Sequence, residues 1–600
     1  MQKKRTLPVV TLAALIMALT ACAEDDVGGG YIAVTAPDNG YVKVGGTITL
    51  TAQATADTAA AYAWTVTPAS GIVDYEPSAT STLTLTTKTR GTATVTVRQG
   101  DLTSNAYTVT VANECPVAIT LDKTALELET GATEKLAATI CNADALDDDS
   151  LKVIAWTSSN TNIATVSPAR GNTVTVTAVG AGTATITAMT VNGKKAACTV
   201  KIAKGSIALT DPPLGYASLG KNYVTTGGTE VATKDALRAA IAKGGVIVVT
   251  AMIDMSDGML PAAGGKSTDS TPALDAFVSE QTGGAYTTYA AWVSAYSKAC
   301  KLTTEDDKSG SGSSELQGTM KTLNAEYGKI IRLDVQGGTT LAGKGPGCGI
   351  RGGTIQISNA SNIQIRNLTI QDAFDPFPHH EKNDGYNAQW DGINIQNTSK
   401  NIWIDRCTFE DTLTLGYVQT NGSSQEKWQT YDGLCDMKDD STNITVSNCV
   451  FRNHDKTMLI GSSDSNGDNK KRFVTLQGNY FSNCGQRLPM VRNTTIHILN
   501  NYYDADSNPT YSQQYAVGCR KDSIIYAEAN YFGSGIKYSF KNNDGKLYAS
   551  GNSDSAKCDT TVAGSTLFST AVKAYTYTPV TAEQAKTTAM SSAGAGYTLQ

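Results

Sequence analysis

Four short segments in the second half of the 600-residue chain carry side chains whose types and spacing could do chemistry. QWDGINI holds Asp391, and YDGLCDMKDD holds Asp432 and Asp436. NHDKTMLIGSSD holds Lys456, and GQRLPMVRN holds Arg487 and Arg492 on either side of Pro489. In an extended segment, residues four apart point to the same side, so Asp432 and Asp436 can converge. Three carboxylates meeting in a solvated groove repel one another, and a hard cation that prefers oxygen ligands, Ca2+ above all, resolves that repulsion. Basic residues beside a carboxylate-bound metal suit a polyanion of sugar acids, and Pro489 stiffens the link between the two arginines. Taken alone, the acids also read as solvated loop residues and the cations as their salt-bridge partners.

The elements that must bring these segments together are legible as a repeat. From 329 onward, a β-rich half-turn ends in a small or amide residue followed by apolar or aromatic ones: NIQIRNLTI, NIWIDRCTF, NITVSNCVF, FVTLQGNYF, TIHILNNYY, IIYAEANYF and KLYASGNSD. Aligned, they place Leu368, Cys407, Cys449, Asn479, Asn501, Asn530 and Asn552 at one position, spaced 39, 42, 30, 22, 29 and 22 residues apart. A minimum near 22 with variable excess predicts a parallel β-helix, each coil adding its extra residues as loops on one side. Stacked asparagines can hydrogen-bond along such a coil, while Cys407 and Cys449 pack as small interior residues. Coil stacking brings Asp391 within one coil rise of Asp432 and Asp436. The excursions 371–399 and 410–440 are then loops on the solenoid, where a cleft would be built. Ahead of the repeat, TKDALRAAIAKGGVIVV reads as a short amphipathic helix running into a strand, a cap on the elongated core. Residues 254–326 are a polar, partly helical insertion without a legible role.

The first third has a different texture. Residues 31–112 alternate in short runs such as TITLTAQAT and TATVTVRQG, which predicts an antiparallel sandwich. Residues 113–204 repeat the pattern, and WTSSNTNIATVS followed by VTAVGAGTATITA resembles a bacterial group-2 immunoglobulin-like domain. Neither unit holds a catalytic constellation, so a spacer or adhesive role is expected. The expected fold class is all-β: a right-handed parallel β-helix over 205–600, preceded by two immunoglobulin-like β-sandwiches.

Lys3, Lys4 and Arg5 precede a 13-residue apolar core that is short for a membrane span. Leu19-Thr20-Ala21-Cys22 resembles a lipobox, which implies a signal peptide over 1–21, lipidation at Cys22 and a flexible tether over 22–30. The acidic run Glu24-Asp25-Asp26 resembles a surface-export signal of Gram-negative lipoproteins, so an outer-membrane anchor is expected. A net charge of −6 without a run of like charges argues against a nucleic-acid partner, and a polyanionic substrate would need local cations. Eleven cysteines remain after Cys22, an odd number; no CxxC pair occurs, and only four histidines are present, which argues against zinc. A monomer is expected.

Together, NIWIDRCTF, YDG…D…NITVSNCVF, HDKTMLIGSSD, QRLPMVR, IHILNNYYDA and YAVGCRKDSIIYAEANYF resemble the pectate lyase family, polysaccharide lyase family one, in the family's order. The resemblance covers roughly 207–600 apart from the insertion. It implies calcium-dependent cleavage of polygalacturonate, in pectin, by β-elimination. It also implies that Asp391, Asp432 and Asp436 bind the primary Ca2+, that Arg487 is the Brønsted base, and that Lys456 and Arg492 bind substrate carboxylates. Asp375, in QDAFDPFP, matches a position for an additional substrate-bridging Ca2+. The sequence departs from the family at Ile404-Asp405-Arg406, where a histidine is usual, and at Tyr431-Asp432-Gly433. Two other activities compete: a lyase for methyl-esterified pectin, which the retained aspartates oppose, and a non-catalytic pectin-binding surface protein, which Arg487 and Lys456 oppose. A glycoside hydrolase would need an acid–carboxylate pair without this lysine–arginine set.

Overall fold

The computed structural model describes residues 31–600 apart from 56–59, 301–314, 382–384, 420–424, 465–471, 506–510, 543 and 554–573. The expected signal peptide and tether, with Cys22, lie outside the described residues.

Alternating Thr/Val strings become two β-sandwiches because every second side chain turns inward; in Gly91–Gln99, Ala93, Val95 and Val97 are buried. In the second unit one sheet runs in the order Ile119–Leu121, Thr133–Ile140, Thr173–Ala178, Ala164–Ser167, and the other Ala125–Glu129, Lys195–Ala203, Gly182–Thr190, Ile154–Ser158. The first unit has the same strand order, with one additional short strand, Leu102–Thr103, on Gly91–Gln99. The two sandwiches therefore share a topology that their sequences show less clearly. Leu50, Leu85, Val95 and Val109 fill the first core; Leu136, Val174, Ile186 and Val200 fill the second.

The remainder winds into three parallel sheets of ten, eight and eight strands. The chain visits the long sheet, then the second, then the third, and each strand pairs with its counterpart one coil later. Register keeps like over like: Ile365, Ile404, Val446, Leu476, Ile498 and Ala527 lie in one inward row of the long sheet. Phe409, Phe451, Phe481, Tyr503 and Phe532 stack in the second, with ring centroids 4.6–5.0 Å apart. Helix α1 (Lys234–Lys243), capped by the Thr233 side chain on the Ala236 amide, closes one end by burying Leu237, Ala240 and Ile241.

The repeat position behaves as its residue types require. The side-chain oxygens of Asn479, Asn501, Asn530 and Asn552 each accept a backbone N–H from the preceding coil, at 2.8–2.9 Å. Their amide groups donate to carbonyls of the preceding coil, those of Val446, Leu476, Ile498 and Ala527. Each buried donor left without its acceptor would cost about 1–3 kcal/mol, a physical reason for the run of asparagines. The residue just before each rung is left-handed: Asn367, Arg406, Asn448, Gly478, Asn500, Ala529 and Gly551 all have φ between 51° and 68°. This sharp bend joins the long and second sheets and favours Asn and Gly. Arg406 occupies it with its guanidinium 2.6 Å from Asp405 and over the Tyr597 ring, so the departure from the family's histidine is a structural substitution at that bend. Cys407 and Cys449 pack inside the coil.

The insertion acquires a role. Helices α2 (Pro272–Gln281), α3 (Tyr289–Ala299) and α4 (Glu315–Ile331) build a second hydrophobic core. In it, Trp292, Tyr296 and Tyr327 pack with Phe374, Phe377, Tyr386 and Trp428 from the long solenoid loops. Thirty-residue loops would otherwise be floppy; this satellite core holds them against the coil.

Candidate active site

Five of the candidate residues lie at or beside the bend between the second and third sheets, one bend on from that carrying Arg406; Arg492 lies past Met490–Val491 at the far end of the third sheet, and Asp375 in the loop after Thr369–Gln371. Successive coils place there Asp391, then Asp432 and Asp436, then Lys456, then Arg487. Backbone bonds fix the stacking: Gly392 N–H donates to the Gly433 carbonyl, Leu434 N–H to Thr457, and Met458 N–H to Arg487.

Asp391 and Asp436 are buried neighbours across paired strands, where Asn394 stands opposite Asp436. Asp391 Oδ1 accepts the Gly433 amide at 2.9 Å, and Asp436 Oδ1 accepts the Leu459 amide at 2.9 Å. Gly433 is obligatory here for space: a Cβ would sit 2.2 Å from Asp436 Oδ1 and 2.8 Å from Asp391 Oδ1. The missing side chain leaves a cradle facing both carboxylates. Burial, and next the charge of Asp436, pushes the Asp391 carboxyl well above the ordinary carboxylate range; burial raises Asp436 too.

Lys438 answers that strain. Its Nζ lies 3.2 Å from Asp391 Oδ2 and 3.3 Å from Asp436 Oδ2, and those carboxylates hold the ammonium far above its usual range against the opposing effect of burial. Sequence reasoning missed this residue. The signal was present: in an extended run Lys438 shares a side with Asp436, two positions away.

Asp432 is partly exposed and leans toward Lys456, with Nζ 3.1 Å from its Oδ1. Burial would raise its carboxyl, but Lys456 first, then Lys438 and Arg487, bring it below the usual value. The Asp432 charge in turn helps to raise Asp391 and Asp436, so the three acids share one field. Lys456 also donates to Asn387 Oδ1, reaching into the loop buttressed by the helical insertion. The carbonyl of Asp432 contacts His454 Nε2 at 2.7 Å, while His454 Nδ1 meets Asp411 Oδ2 at 2.6 Å. His454 and Asp411 thus steady the segment from beneath, and nothing in their sequence spacing announced it.

Arg487 adopts φ +59°, a left-handed conformation that strains a side-chain-bearing residue by roughly 1–2 kcal/mol. Its Nε is buried and has no hydrogen-bond partner among the described residues. Its charge lowers the carboxyls of both Asp432 and Asp436, which places it in the same field. Arg492 is engaged otherwise: Nε lies 2.5 Å from Asp464 Oδ1, and Arg520 holds the other oxygen at 3.2 Å. Of the two arginines around Pro489, one therefore has an Nε without a partner among the described residues and the other is tethered to Asp464.

Asp375 is wholly buried, and its oxygens accept from Asn324 Nδ2, the Phe377 amide and the Gln389 amide, all at 2.9 Å. Burial lifts its carboxyl to about 6. With those bonds it ties α4 to the loop before Asp391, and both its oxygens are engaged by protein donors. The same helix supports Trp390, which lies where a Cβ on Gly328 would be, 2.5 Å from the indole.

Among the described residues, no group of three His, Cys, Asp or Glu side chains is already closed to metal-holding spacing. The donor set nevertheless fits a hard divalent cation: the donors are oxygens, two are buried and mutually repelled, and the Gly433 cradle opens between them.

A family model described as pectate lyase matches residues 294–598, and one described as bacterial Ig-like domain (group 2) matches residues 117–200. The chain is 36% identical over 221 residues to pectate lyase A of Dickeya chrysanthemi, covering 36% of this chain and 56% of that one. It is 37% identical over 234 residues to a pectate lyase of Bacillus subtilis (strain 168), covering 37% and 55%. The chain thus spans about half the length of the curated relatives it matches. The solved pectate lyase of Acidovorax avenae subsp citrulli superposes with a TM-score of 0.51 at 22% identity, covering 65% of this chain and 96% of that one. A second pectate lyase structure, described for substrate specificity and an anti β-elimination mechanism, gives 0.51 at 24% identity, covering 65% and 98%. These two likenesses concern the fold.

Proposed function

The chain belongs to the pectate lyase family, and from that premise we propose that it is a calcium-dependent lyase that cleaves polygalacturonate by β-elimination. The observation that carries this reading is one shared field along one bend: Asp391, Asp432 and Asp436, then Lys456, then Arg487 with a buried Nε that has no partner among the described residues.

Asp391, Asp432 and Asp436 would hold the Ca2+. When bound, it would supply positive charge to a substrate carboxylate, which acidifies the adjacent C–H. Lys456 orients and neutralises the same carboxylate from the next coil. Arg487 takes the C5 proton; the C5–H electrons become the C4–C5 double bond as the C4–O bond breaks, and the departing oxygen takes a proton from water. The costly part is the base, because a guanidinium must first give up its own proton. Arg492, tethered by Asp464, is suited to holding a substrate carboxylate farther along.

The direct test follows ultraviolet absorbance of the unsaturated product on polygalacturonate with and without EDTA. Growth that stops on chelation is expected. Absorbance indifferent to EDTA would favour the methyl-ester lyase, and reducing ends without absorbance would mean hydrolysis.

The same proposal places the protein on the cell envelope through a lipid at Cys22, supported by the basic start, the apolar core and the lipobox-like Leu19-Thr20-Ala21-Cys22. A Cys22→Ala chain is expected to leave the membrane fraction. If it partitions like the wild type, the anchor is lost from the proposal.

A further inference from the structure

Lys438 makes the acid cradle something more than a passive cation site. Asp391 and Asp436 each spend Oδ1 on a backbone amide, of Gly433 and of Leu459. Their Oδ2 atoms are the ones left to face a cation, and Lys438 Nζ rests on both, at 3.2 and 3.3 Å. The placement is forced from behind. Cys435 and Met437 point into the core, so Asp436 and Lys438 point out, and the Lys438 amide is pinned to the Ile395 carbonyl at 2.7 Å. The ammonium end is less confined: the side chain keeps 20% of its exposure, against 1% and 2% for its two acid partners. It can therefore withdraw toward solvent while the carboxylates stay fixed.

Resting on the reading that this cradle takes calcium, we infer that Lys438 is a built-in competitor for that ion, holding the Asp391–Asp436 pair together without it and yielding when it enters. Two like charges buried side by side would push the coil apart if nothing stood between them. A lysine two residues from one of the acids supplies that charge in cis, so the bend stays folded while no divalent ion is bound. The consequence is a lowered apparent affinity, because the ion binds only the states from which the ammonium has withdrawn. A second consequence concerns the polyanion. Without the ion, three carboxylates are balanced by Lys438, Lys456 and Arg487, whereas a divalent ion leaves the cluster positive even once Lys438 has withdrawn. Ion and polyanion should therefore bind in a mutually reinforcing way.

The test uses the full chain, with calcium titrated calorimetrically and melting followed in EDTA and in saturating calcium. Lys438→Gln is expected to bind calcium at least about tenfold more tightly, the scale of losing one close competing charge. It should also melt lower than wild type in EDTA and alike in calcium. Lys438→Arg, whose planar fork grips two carboxylates better, should bind calcium more weakly; it keeps the test open should the glutamine variant fail to fold. Unchanged or weaker binding by Lys438→Gln, an equal melting loss in both media, or tighter binding by Lys438→Arg would each overturn the inference. A wild-type protein that takes up no calcium at all would instead sink the calcium reading on which it rests.

Discussion

Replacing Arg487 by alanine is expected to lower kcat on polygalacturonate by about 10²–10⁴-fold, the usual contribution of a positioned general base, with a much smaller change in KM. The residue has the features of a group kept for chemistry. It holds a left-handed backbone at φ +59°, and its buried Nε lacks a protein partner among the described residues. Neither feature stabilises a fold, and strain of this kind persists where function needs the geometry. A Gly variant separates chemistry from folding, since glycine accepts the left-handed conformation without cost. Arg487→Gly should lose activity as fully as Arg487→Ala while melting no lower than wild type. An alanine variant whose kcat stays within a few-fold of wild type would remove Arg487 from the role of base.

Asp391→Asn should raise the calcium concentration needed for half-maximal activity by about 30–10³-fold, the range for truncating one partner of a buried charge cluster. The substitution keeps the shape of the side chain. It removes the whole unit of negative charge facing Lys438; the amide oxygen can still accept the Gly433 N–H, which leaves the NH2 against the Lys438 ammonium. High calcium should restore part of the rate, because Arg487 and Lys456 are untouched. Measuring rate against free calcium decides the matter: an unchanged half-saturation point would show that Asp391 does not hold the ion. The same titration on Asp375→Asn offers a contrast. Asp375 is saturated by Asn324 and two amides, so its loss should appear as a lower melting temperature from a loosened α4.

Much of the coil was legible because its signals are local. Strand alternation depends on residues two apart, and the repeat position needs only its own type. Asn479, Asn501 and Asn530 could therefore be placed on one ladder from spacing alone, and the hydrogen bonds between them follow. The first sandwich was legible as alternation, while its shared topology with the second emerged only from strand order. The insertion was opaque because its partners lie in loops far along the chain. Tyr289 donates to the Pro376 carbonyl, 87 residues away, and no local pattern encodes such a contact.

By itself the sequence determined which residue types were available to the site, and that coils would stack them: acids at 391, 432 and 436, cations at 456, 487 and 492. Only the tertiary structure decided who faces whom. It set Lys438 between Asp391 and Asp436, joined Lys456 to Asn387 across 69 residues, paired Arg492 with Asp464, and buried Asp375 under Asn324. The physical reason is that side-chain direction along a strand is a property of neighbouring residues. Partner choice across coils depends instead on the length of every loop between them and on what packs against those loops.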